Sequence, residues 1–160
     1  MKNLLAKLSA VVMLPLVSRG LRIAQINDVH VNLDYYFGGY CTFPLCLDLG
    51  NWLMDPPIKL VDTVLGDMKY WYHTDRTPID AVLIGGDFVV HGLSNSDPNF
   101  GNWPIMKDVL RAVINSVQTK FPGVPIISAI GNNDVLNHYQ APGNESQKEL
   151  FYGDLFDIWF

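Results

Sequence analysis

Three short clusters in the chain carry side chains suited to holding cations: Asp28-Val29-His30, Gly86-Asp87 with His91 four residues on, and Asn132-Asn133-Asp134. Carboxylate, imidazole and amide oxygens together suit Zn, Mn or Fe. A carboxylate shared by two ions about 3.5–4 Å apart supports in-line attack on a phosphate ester. Each cluster alone has a plainer meaning. An Asp-x-His is commonly a loop-capping Asp beside a surface His, and Gly-Gly-Asp after an apolar run is commonly just a turn. What gives the three weight is their common setting.

Each cluster closes an apolar run. "LRIAQIND" (21–28) and "IDAVLIGGD" (79–87) read as strands ending in Asp28 and Asp87, and "VPIISAIGN" (124–132) as a third ending at Asn132. Between them, "PIKLVDTVLGDMKYW" starts with Pro57 and spaces Ile58, Val61, Leu65 and Met68 as one helical face. "WPIMKDVLRAVINSVQTKF" does the same with Met106, Leu110, Val113 and Val117 and stops at Phe121-Pro122-Gly123. The order strand, helix, strand, helix, strand with near-continuous apolar strands is an α/β pattern, a parallel sheet covered by helices. Ligands in such sheets bind beyond the carboxyl ends of the strands, so the clusters should converge. A last amphipathic segment, "ESQKELFYGDLFDIWF", ends on Ile158, Trp159 and Phe160, which is expected of a chain cut short.

With 160 residues, 49% hydrophobic and 17% charged, the chain can bury a core of its own and is not a disordered segment. A net charge of -5 excludes a nucleic-acid polymer as the expected partner. Lys2 and Lys7 precede the apolar run "LSAVVMLPLVS", giving a signal peptide over 1–18 and a domain over 19–160. A buried terminal helix or strand is the alternative. The run is shorter than the roughly 20 apolar residues of a transmembrane anchor. Cys41 and Cys46 flank Pro44 closely enough for a local disulfide, with two free thiols as the alternative. Asn144-Glu145-Ser146 is a glycosylation sequon. Together these point to a secreted or lumenal protein, whether extracellular, lysosomal or vesicular.

Asp-x-His, Gly-Asp and Gly-Asn, in this order and strand context, resemble the calcineurin-like metallophosphoesterases. "NDVHVNLDYYFGGYC", "GGDFVVHG" and "IISAIGNND" are similar to the acid sphingomyelinase-like phosphodiesterases within that family. The resemblance implies the first half of an αββα sandwich, the N-terminal part of the catalytic domain. It makes Asp28 and His30 ligands of one of two divalent metal ions, Zn in the first instance. Asp87 would bridge both ions, Asn132 would bind the second, and His91 would lie beside the phosphate. A metal-bridging hydroxide would then attack the phosphorus of a small phosphodiester or a phospholipid. Asn133 stands where the family has a His that protonates the leaving group, and an amide has no such proton to give. The family's further His ligands, the last in a Gly-His-x-His motif, are missing here. His73 reads as a surface residue following a helix; His138 reads as a loop residue, with folding back to the site as the alternative.

A non-catalytic relative that binds a phosphorylated lipid or nucleotide is the second reading. An interaction domain using Tyr35, Tyr36, Phe37 and Tyr40 is the third, unless those rings pack under the cysteine loop. A sheet of only three strands also leaves an edge for an assembly partner to cover.

Overall fold

A computed structural model describes residues 20–35, 47–51, 54–74, 78–93 and 102–160. The signal peptide expected over 1–18, Cys41 and Cys46 lie outside the described residues. The elements follow the expected alternation: β1 (Ile23–Ile26), α1 (Ile58–Thr74), β2 (Ala81–Ile84), α2 (Trp103–Lys120), β3 (Ile126–Ser128) and α3 (Glu145–Trp159). All strand pairs are parallel, in the order β1-β2-β3.

Register decides which strand residues meet the helices. Ala24 pairs with Val82, Ile26 with Ile84, and Val82 with Ile126, so this set shares one face of the sheet. Right-handed crossovers between strands adjacent in sequence order put α1 and α2 on that same face. There Val61 and Leu65 of α1 and Met106, Leu110, Val113 and Val117 of α2 are buried, as their spacing predicts. The opposite face carries Ile23 and Ile127, which are 43% and 54% exposed.

Helix α3 packs on α2 through buried Phe151, Leu155 and Ile158. The Trp103 and Phe151 rings lie 5.0 Å apart, and Trp103 Nε1 donates to Asp154 Oδ2 at 2.7 Å. Asn144, in the sequon, caps this helix by accepting the Gln147 N–H at 2.9 Å.

Two expectations need correction. Helix α1 runs on to Thr74, so His73 sits in its last turn and does not follow it. No Gly or Pro lies between Gly66 and Pro78, so nothing stops the helix at Trp71. Tyr35 is fully buried, so it is no part of an exposed aromatic surface; Tyr36, Phe37 and Tyr40 lie outside the described residues.

Candidate metal centre

Beyond their last regular residues, β1 and β2 stay zipped together. Asp28 N donates to Gly86 O at 3.2 Å, His30 N to Asp87 O at 2.9 Å and Val31 N to Phe88 O at 2.7 Å, and Val31 pairs with Val89 as a parallel bridge. Within this stretch Asp28 (φ 52°), His30 (φ 38°) and Asp87 (φ 54°) all adopt left-handed backbone. Asp and His tolerate that region better than most side chains, yet each such residue costs on the order of 1 kcal/mol or more. The left-handed residues break the alternation of the strands, and the three side chains come together. One donor atom from each of Asp28, His30 and Asp87 lies within 4.8 Å of the others.

The state of His30 follows from its partner. Its Nδ1 lies 3.0 Å from Val89 O, and a carbonyl only accepts, so Nδ1 carries the proton. In the neutral ring this leaves Nε2, 4.0 Å from Asp87 Oδ2, with a lone pair to offer a cation. His91 stacks on His30 with ring centroids 3.9 Å apart. Asp55, just before α1, fixes His91 twice: Oδ2 accepts its backbone N–H at 2.7 Å and Oδ1 lies 2.7 Å from Nδ1. Nothing in the sequence flagged Asp55, because a loop acid 36 residues from its partner carries no periodic signal.

The end of β3 locks onto this pair of loops through two glycines. A Cβ on Gly131 would strike Asp87, and one on Gly86, itself at φ 94°, would strike the backbone of Ile130 and Gly131. Asp134 then braces the junction. Its fully buried carboxylate accepts N–H groups from Asp87 (2.7 Å), Phe88 (2.8 Å), Val89 (3.0 Å) and Gly131 (2.8 Å). Burial raises its pKa above the usual carboxylate value, and the four N–H groups pull it back. Asp134 thus serves as a brace, although as a residue type it reads like one more ligand.

Asn133 is buried too, and its backbone N–H (2.9 Å) and Nδ2 (3.2 Å) both donate to Asp87 Oδ1. Its own buried Oδ1 meets no hydrogen-bond partner. Asn132 turns elsewhere: its Nδ2 lies 3.1 Å from His138 Nε2. His138, for which the sequence left a return to the site open, is therefore beside a candidate ligand. Asp28, His30 and Asp55 also line a cavity of about 360 Å³ whose other walls include Ile26, Leu60, Val61 and Leu65.

The residues present fit a bound cation. Two carboxylates and an imidazole whose lone pair is released toward them form a suitable donor set, and the orphaned Asn133 oxygen next to Asp87 is an acceptor awaiting a partner.

Among the described residues, no helix is long and apolar enough to cross a membrane. The family model for calcineurin-like phosphoesterases matches residues 21–160. The chain is 27% identical over 138 residues to sphingomyelin phosphodiesterase 1 of Caenorhabditis elegans, a match covering 74% of this chain and 22% of that protein. It is 30% identical over 142 residues to endopolyphosphatase of Schizosaccharomyces pombe, covering 78% of this chain and 24% of that one. The chain thus spans about a quarter of the length of these relatives. With an Asp28–His30–Asp87 group placed where a cation would be held and a match over nearly all described residues, the chain belongs to the calcineurin-like phosphoesterases, a metal-dependent family.

Proposed function

We propose that this is a secreted or lumenal, metal-dependent phosphoesterase acting on substrates with an acidic leaving group. The observation that carries the reading is Asn133. Where the resemblance implies a proton donor, this chain has a buried amide donating to Asp87 Oδ1. Such a site holds its carboxylate firmly and offers the departing oxygen no proton from that position. Loss of a general acid typically costs about 10²–10⁴-fold, and mostly on poor leaving groups such as the ceramide alkoxide of sphingomyelin. Nucleotide phosphates, nitrophenolate and the phosphate of a phosphoanhydride leave without that help. The endopolyphosphatase relative is consistent with the last of these.

In this reading Asp28, His30 and Asp87 would hold one of two divalent ions, Zn in the first instance, and Asn132 together with Asp87 would serve the second. The ions supply charge neutralisation at the phosphoryl group and a nucleophile at neutral pH. The chain's own contribution is placement. Val89 O fixes the His30 tautomer, Asn133 and Asp134 fix Asp87, and Asp55 holds His91 against His30, where it can contact the phosphate. Residues 1–18 act as the signal peptide, 19–160 form the N-terminal portion of the domain, Cys41 and Cys46 pair, and Asn144 carries a glycan.

Metal analysis combined with hydrolysis of bis-p-nitrophenyl phosphate, tripolyphosphate and sphingomyelin tests this. The expected result is bound Zn or Mn with turnover of the first two, and Asn133→His raising the rate on sphingomyelin selectively, by about tenfold or more. An equal change on all three substrates would overturn the leaving-group argument. A metal-free, soluble, inactive chain would favour a relative that only binds a phosphorylated lipid or nucleotide.

A further inference from the structure

We propose that His138 is a positioning residue for Asn132, fixing which atom of the amide is left to a cation. The inference rests on the metal reading above and concerns a residue that reading does not use. An amide nitrogen has hydrogens to donate and no lone pair to offer. The 3.1 Å approach of Asn132 Nδ2 to His138 Nε2 therefore requires an unprotonated Nε2, with the imidazole proton on Nδ1. In that arrangement the amide oxygen, a donor that Zn or Mn accepts, is the atom left over. With the amide turned over, Oδ1 would be spent on the imidazole and only N–H would remain, which no cation binds. With its proton on Nδ1, the imidazole thus holds the amide in the ligand-competent orientation.

The turn that carries His138 is built to hold it. Val135 and Leu136 anchor its root in the core. Gln140 N donates to Asn137 O at 2.8 Å, closing a tight turn across His138 and Tyr139. Tyr139 sits at φ 61°, in the third position of the turn, where glycine is the usual occupant. A glycine would relieve that backbone, but it would remove the ring that meets the imidazole edge-on at 4.2 Å. Strain retained beside a candidate ligand fits a residue held for its geometry.

The test uses the full chain. In metal-free, ¹⁵N-labelled protein at pH 8, long-range ¹H–¹⁵N correlation should show His138 protonated on Nδ1. Titration with Mn(II) should then show His138→Phe weakening the second ion by about 10–100-fold while the first ion and the melting temperature hold. His138→Gln, whose Oε1 can accept the same N–H, should recover most of the loss. A proton on Nε2, an unchanged second ion in His138→Phe, or no rescue by His138→Gln would each overturn the proposal. So would loss of both ions together with melting, the signature of a merely structural turn. Proton on Nδ1 with no second Mn(II) bound at millimolar concentration would refute the two-ion reading and uphold the Asn132–His138 contact.

Discussion

The Asp28–His30–Asp87 side of the centre and the Asn132–His138 side are built by different means. The first is a backbone construction: two strand ends zipped by N–H···O=C bonds, locked by facing glycines and braced by one buried carboxylate. The second depends on a single side-chain contact from a strained turn. Where backbone makes a site, the critical residues are those that let chains approach, and the ligands themselves are replaceable without unfolding. Where side chains make it, loss of one contact disturbs the site and leaves the fold alone.

The most severe way to break this contrast is at the junction. Gly131→Ala drives a methyl into Asp87, and Asp134→Ala strips four N–H groups of their acceptor. Each should lower stability by about 3–5 kcal/mol in urea unfolding, whereas Asp28→Ala, at an exposed candidate ligand, should abolish metal binding with little change in stability. Similar losses in all three would refute the distinction. A smaller effect is expected at Asp55→Asn, which loosens His91 without touching the zipped loops. We expect kcat/KM on bis-p-nitrophenyl phosphate to fall about tenfold or more with the melting temperature unchanged; an unaltered rate would show that His91 needs no orientation.

The smallest effect lies far from either half, at the α2–α3 contact. Burial acts to raise the Asp154 pKa, but Trp103, Lys107 and Arg111 together outweigh it and hold the value below the ordinary 3.8. A lowered folded-state pKa means the stabilisation is present above about pH 4 and lost as pH falls through the lowered value. Asp154→Asn should therefore lower the stability slightly at pH 7, by under about 1 kcal/mol in urea unfolding. The difference should vanish in acid, and the metal affinities should not change.

The sequence made the alternation of strands and helices legible because apolar runs and helical spacing are local signals. Its three ligand clusters also lie just beyond the strand ends, which fall at Ile26, Ile84 and Ser128. It did not show that Asp28, His30 and Asp87 would turn together through left-handed backbone, since their residue types permit that conformation without announcing it. Asp55 was illegible, and the return of His138 stood only as an alternative, for another reason. Their roles are set by partners reached only after the chain folds, across 36 residues for Asp55 and by a reversing turn for His138. Asn133 was legible as a departure from a family pattern. That its amide would lie against Asp87 is visible only in the folded chain.

The brace at Asp134 also has a consequence in time. Residues 87–89 are held by a carboxylate 45–47 positions later in the chain, so β1, α1 and β2 can assemble on the ribosome without setting the ligand geometry. That geometry arrives only after α2 has folded back and β3 has docked, a late, long-range closure. A nascent chain stalled before residue 134 should consequently lack the acceptor that braces residues 87–89.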